Sequence, residues 1–148
     1  MIRGKVQWVP RDDRLHQFVG TSGSGHAIVF DDVEGGCGPS PMETVALALA
    51  GCQAFDVVTI LRKKRQDVRR YEVRVEAEQQ IGPPAVFSAL HVHHVVEGRG
   101  ISEDALRQAV DLTQRKYCSV GAMLARTAPI RVTFEIVEPT SVAAPAAG

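Results

Sequence analysis

The segment from Ser40 to Arg65, SPMETVALALAGCQAFDVVTILRKKR, constrains this chain more than any other. Ser40 can accept a hydrogen bond from a free backbone N–H of a first helical turn, and Pro41 suits the first helical position, where a missing N–H costs nothing. Glu43 stands three residues after Ser40, the spacing of a capping box. From Val45 to Leu61 the run is apolar nearly all the way round a helical wheel, which predicts a helix buried on most sides. Ala46, Ala48, Ala50 and Gly51 are small enough to let neighbouring backbone come close. Cys52 sits in the middle, with Asp56 one turn later on the same face. Arg62 to Arg65 closes the run with positive charge, favourable at the negative end of the helix dipole. The stretch predicts a central helix that carries a thiol.

A membrane span is not expected, because the run from Val45 to Leu61 is shorter than the roughly 20 residues needed and contains Gln53 and Asp56. Met1 to Val9 alternates in polarity instead of forming the apolar block of a secretory signal, so a soluble, cytoplasmic protein is expected. With 148 residues and 45% hydrophobic content the chain can bury the core of a single domain, placed at 1–139. The Ala- and Pro-rich segment 140–148 is expected to be a disordered tail. Zero formal net charge leaves no electrostatic footprint for nucleic acid or an anionic membrane. Three cysteines do not make a disulfide framework, although two of them can be a working redox pair in a reducing compartment.

Around the central segment the chain alternates. Strands are expected at Lys5–Val9, Leu15–Val19 and His26–Phe30, with Thr21 to Gly25 as a turn. That glycine-rich turn lacks the lysine and the following helix of a phosphate-binding loop. Asp31 to Gly38 is a loop that carries Cys37, read as an accessible, incidental thiol. Arg70–Gln79 alternates cleanly and should pair antiparallel with Val86–Glu97 across Gly82-Pro83-Pro84. Ser102 caps a second helix with a buried face at Leu106, Ala109, Val110 and Thr113; helical turns from Val120 to Arg126 and a last strand at Arg131–Glu138 follow. This order predicts an α+β fold, with helices gathered against antiparallel sheet.

A lone cysteine in the middle of an apolar helix is an ordinary small core residue. Cys118 changes that reading. It stands at a break between helical segments beside Arg115 and Lys116, and Ser119 can open the next helix, so charge and dipole both favour its thiolate. Brought together, two such cysteines form a peroxide-reducing dithiol: one is oxidised to a sulfenic acid, which the other resolves as a disulfide. Spacing alone does not say that they meet.

The pattern S-P-M-E-x-V-x-x-A-x-A-G-C-x-x-x-D-V-V-x-I-L-x-K-x-R-x-D-V, followed by K-Y-C-S-V, resembles the OsmC/Ohr superfamily, and most closely its YhfA-like branch. The opening K-V-x-W-V and the G-H-x-I strand extend the resemblance over nearly the whole chain up to the tail. It implies an intertwined α+β homodimer with active sites at the subunit interface, and thiol-dependent reduction of organic hydroperoxides. Cys52 matches the peroxidatic cysteine and Cys118 the resolving one. No bound cofactor is implied; reducing equivalents would come from an external dithiol such as a lipoyl group or a thioredoxin-like protein.

Hydroperoxide reductases of the superfamily place a glutamate directly after the helix-opening proline, paired with an arginine from the N-terminal strand region. Here Met42 follows Pro41 and Glu43 comes one residue late, rotated by about 100° around the helix. Glu43 is therefore a capping-box partner or a displaced catalytic residue. Arg11 and Arg14 lie in the right region, but neither sits in a matching motif. His91 and His93 form an H-x-H without a third ligand, so no metal is expected. The alternative to an enzyme is a non-enzymatic binder of an apolar or electrophilic small molecule, with the thiols as sensors. A catalyst needs a reactive Cys52 and turnover with a dithiol; a binder needs neither.

Overall fold

The computed structural model describes residues 1–10, 16–32 and 36–139. Leu15, expected to open a strand, lies outside the described residues, as do Arg11, Arg14 and the tail from Thr140. The chain divides into two compact units, Met1–Leu47 and Ala48 onward, with the long helix passing from one to the other.

In the first unit the alternating segments form an antiparallel meander of β1 (Gly4–Val9), β2 (Gln17–Ser22) and β3 (Ala27–Phe30), in that order. β2 runs on through Thr21 and Ser22, residues expected in the turn. The glycine-rich run simply reverses the chain: Ser22 N–H donates to the His26 carbonyl at 2.8 Å, and Gly25 takes a φ of 85° that a side chain would oppose. Val6 and Trp8 leave 63% and 59% of their surface exposed on this sheet. The helix α1 (Pro41–Lys63) begins as its sequence requires. Ser40 N–H donates to Glu43 Oε2 at 2.7 Å, and Glu43 N–H donates to Ser40 Oγ at 3.3 Å, a complete capping box.

The second unit is built on β4 (Asp67–Gln79), β5 (Phe87–Arg99) and β6 (Ile130–Val137). β4 and β5 pair antiparallel, as their alternation predicts, whereas β6 runs parallel to β5, so this sheet is mixed and not purely antiparallel. A parallel return needs a long crossover. Here it is α2 (Glu103–Leu112), a π-helical turn (Thr113–Tyr117) and α3 (Ser119–Leu124). Ser102 Oγ caps α2 by accepting from Ala105 N–H at 3.2 Å. Val57 and Leu61 of α1 meet Val96 of β5 and Leu106, Ala109 and Val110 of α2 in one core. Full burial of a side chain such as Leu61 contributes about 2 kcal/mol.

Leu49, Gln53, Val57 and Leu61, spaced by four, form the fully buried stripe of α1. Burial on most sides was expected, but within this chain only that stripe and its flanks are covered: Leu47 is 55% and Phe55 78% exposed. The amount of apolar sequence was legible; the amount of surface available to cover it was not. By length and composition alone α1 could cross a bilayer. Its buried stripe instead faces the second unit's own sheet, where Gln53 Oε1 accepts a hydrogen bond from His94 Nε2.

Candidate active site

The fold brings together two thiols that lie 66 residues apart in sequence. Cys52 sits half-buried on α1, and Cys118, 3% exposed, is the N-cap of α3. The two thiols lie close enough for Cys52 to raise the pKa of Cys118. Cys118 Sγ also accepts from Gly121 N–H at 3.2 Å. A Cβ added at Gly121 would itself lie 3.2 Å from that sulfur, tighter than side chains normally pack, so glycine keeps the cap open for a large sulfur atom. The π-helical turn delivers Cys118 to this place, its N–H reaching back five residues to the Thr113 carbonyl at 2.9 Å.

The electrostatics of Cys118 reverse the expectation drawn from its basic neighbours. Arg115 pairs with Asp111 at 3.2 Å in solvent, and the Lys116 ammonium lies 5.6 Å from the Tyr117 ring centre. Burial pushes the Cys118 thiol up to about 12; the neighbouring Cys52 side chain and the negative charges of Cys52 and Asp56 act in the same direction, and the Gly121 N–H opposes them. Desolvation outweighs the helix terminus. At neutral pH Cys118 is therefore an S–H, the natural donor in the thiol pair. Asp56 is placed as its spacing predicts, and partial burial raises its pKa as well.

Glu43 stands nine residues before Cys52 on α1, exposed, with its carboxylate engaged by the cap. The Ser40 backbone N–H, and then the Ser40 hydroxyl, hold its pKa below the usual value. Cys37 is exposed in the loop before α1.

A buried polar chain beside the thiols escaped the sequence reading. Tyr71 O–H lies 2.7 Å from His94 Nδ1, and His94 Nε2 lies 3.1 Å from Gln53 Oε1. Gln53 Oε1 can only accept, so His94 carries its proton on Nε2 and accepts the tyrosine proton on Nδ1. Burial first, and then the nearby His93, lower His94 to about 4, while burial raises Tyr71. Gln53 follows Cys52 directly, so this chain ties the thiol-bearing turn of α1 to the sheet. The signal was present: His94 alternates with Val92 and Val96 on the apolar face of β5, while His91 and His93 take the polar face. Among the described residues no three His, Cys, Asp or Glu side chains form a metal-binding group.

Comparison with known proteins bears on this arrangement. The family described as OsmC-like protein matches residues 33–133. Protein YhfA of Escherichia coli (strain K12) is 42% identical over 136 residues, covering 92% of this chain and 98% of its own. A hypothetical protein from Aquifex aeolicus VF5, known from a crystal structure, is 26% identical with a TM-score of 0.78, over 93% of this chain and 98% of that one. The organic hydroperoxide resistance protein OhrB of Bacillus subtilis shares the fold at 17% identity and a TM-score of 0.59, over 90% of this chain and 98% of that one.

Proposed function

The chain belongs to the OsmC-like protein family, and we propose that it is a thiol-dependent reductase of organic hydroperoxides that cycles Cys52 and Cys118 between dithiol and disulfide. The observation that carries this reading is that the two thiols lie close enough to interact, one half-buried and the other sealed from water. The name of the Bacillus subtilis fold neighbour points the same way.

In this mechanism the Cys52 thiolate attacks one peroxide oxygen, the O–O bond breaks, and the alcohol leaves with a proton from solvent. Cys52 is then a sulfenic acid. Cys118 loses its S–H proton and attacks the Cys52 sulfur, expelling the hydroxyl as water and forming the disulfide. An external dithiol, a lipoyl group or a thioredoxin-like protein, returns both sulfurs to the reduced state. The order follows from what holds Cys118 protonated. One of those influences, the negative charge of the Cys52 thiolate, is lost once Cys52 becomes a neutral sulfenic acid. The resolving thiol is thereby restrained until there is something to resolve.

The assembly proposed is a cytoplasmic homodimer. Leu47, Phe55 and Met123, exposed by 55%, 78% and 64%, are apolar surface that a second copy would cover. An apolar surrounding for Cys52 suits an alkyl hydroperoxide better than hydrogen peroxide. The second reading, a non-enzymatic binder or sensor, is favoured by one observation: Glu43 is engaged in the helix cap. Dithiol-driven consumption of cumene hydroperoxide separates the two. Cys52→Ser should abolish the first turnover, and Cys118→Ser should allow one and trap a sulfenic acid on Cys52. Peptide mapping of the oxidised parent should show a bridge from 52 to 118; a bridge to Cys37, or equal inertness of parent and variants, refutes the enzymatic reading.

A further inference from the structure

The polar face of the second sheet carries a side-chain cluster that the thiol chemistry does not use. His91 and His93 project from β5, the central strand, with Glu76 and Arg74 opposite them on β4 and Arg131 and Thr133 opposite them on β6. The two imidazoles converge on one atom. His91 Nε2 and His93 Nδ1 each lie 2.7 Å from Thr133 Oγ1. The outward nitrogens both face carboxylates: His93 Nε2 is 3.3 Å from Glu135 Oε1, and His91 Nδ1 is 3.5 Å from Glu76 Oε2. The side chains of His91 and His93 are 30% and 25% exposed, and they line an open cleft with Arg74 and Glu76.

Counting protons shows what this arrangement lacks. A carboxylate can only accept, so Glu135 draws the N–H of His93 to Nε2 and leaves a lone pair on Nδ1, which takes the single Thr133 proton. His91 then has two choices as a neutral ring. With its proton on Nε2 it satisfies Thr133 but turns a lone pair toward the Glu76 carboxylate. With its proton on Nδ1 it serves Glu76 but sets a lone pair against the oxygen lone pairs of Thr133. Every neutral arrangement opposes two electron-rich atoms; a proton added to His91 or a cation held between the imidazoles removes the conflict. A carboxylate behind each ring, fixing the tautomer and raising the basicity of the inner nitrogen, is the usual outer support of a metal-bound histidine.

We propose that His91 Nε2 and His93 Nδ1 bind a divalent transition-metal ion with nitrogen and oxygen preference, Ni(II), Cu(II) or Zn(II), on the polar face of the sheet. Thr133 Oγ1 and water complete its coordination. The two nitrogens, each 2.7 Å from one oxygen, are at most about 5.4 Å apart, and χ rotations that bring them within about 4.2 Å let both reach one ion at a metal–nitrogen distance of about 2.1 Å. Both ligands stand on a strand paired on either side, which holds their spacing. Arg74 and Arg131 lower the affinity; Arg74 is in part neutralised by Glu72, 2.6 Å away. The site is independent of the thiol pair and of its proposed activity.

Titration of the reduced full chain with Ni(II) by isothermal calorimetry tests this. One ion per chain should bind, binding should be lost in His91→Gln and in His93→Gln, and it should persist in Cys52→Ser and Cys118→Ser. Glu135→Gln, which keeps both imidazoles, should weaken it by roughly 10-fold. On thiol-blocked parent protein, the Cu(II) electron paramagnetic resonance spectrum should show two coupled nitrogens, a readout that needs no variant to fold. Absence of binding, binding that survives both histidine variants, binding lost with the cysteines, or a spectrum without nitrogen coupling overturns the proposal.

Discussion

The buried histidine on the other face of β5 makes the sharpest quantitative prediction. His94 is fully buried, hydrogen-bonded to Tyr71 and Gln53, and its pKa is lowered from 6.5 to about 4. In the unfolded chain the ring returns to about 6.5, so between these values the unfolded state binds the extra proton and stability rises with pH. The contribution is complete above pH 6.5, falls as the solution is acidified through the window, and is fully lost below about 4. The difference, 6.5 − 4 = 2.5, corresponds to about 3 kcal/mol in all, of which about 2 kcal/mol is lost between pH 6.5 and roughly 4.5. Against a typical stability of about 5–15 kcal/mol that is a large fraction. The assay is guanidinium denaturation followed by circular dichroism at fixed protein concentration, run across the window on the parent and on His94→Gln. Glutamine removes the titration while keeping a polar group for Tyr71 and Gln53. The variant should be less stable at neutral pH but should lack this part of the acid slope, so the two curves converge as pH falls. Parallel curves would show that His94 is not held neutral by the fold, and the hydrogen-bond assignment through Nε2 would fall with it.

Cys118→Ala removes the S–H that faces Cys52, whereas Cys118→Ser keeps a donor. Alkylation of Cys52 by iodoacetamide at neutral pH should slow by roughly 10-fold in the alanine variant relative to the serine one, the worth of one hydrogen bond to a charged sulfur; equal rates would refute the donor role. Glu43→Gln should leave the melting temperature and any peroxidase activity near those of the parent, because glutamine also serves in a capping box. A steep loss of rate at unchanged melting temperature would make Glu43 catalytic. Sedimentation should find a dimer at micromolar concentration with more than about 2,000 Å² buried, and a folded monomer would refute the assembly.

What the sequence determined by itself is what short-range physics controls. The cap of α1 depends on Ser40 and Glu43, three residues apart, and both hydrogen bonds form as that spacing requires. Alternation in 70–79 placed β4 and told its wet face from its dry one, and 86–97 followed as its antiparallel partner β5. The long motif around Cys52 was sufficient to identify the family. The quantities that decide chemistry were different. Proximity to Arg115 and Lys116 in sequence favoured Cys118 as the reactive thiol, but a pKa responds to distance and desolvation in space. The fold turns those cations to solvent and seals the sulfur against Cys52. The parallel course of β6, the π-helical turn that delivers Cys118, and the chain from Tyr71 through His94 to Gln53 join residues far apart in sequence or depend on how a connection closes. Periodicity tells which face of an element is apolar. It does not tell what covers that face, and so the apolar surface around Phe55 was legible while its exposure in the single chain was decided only by tertiary structure.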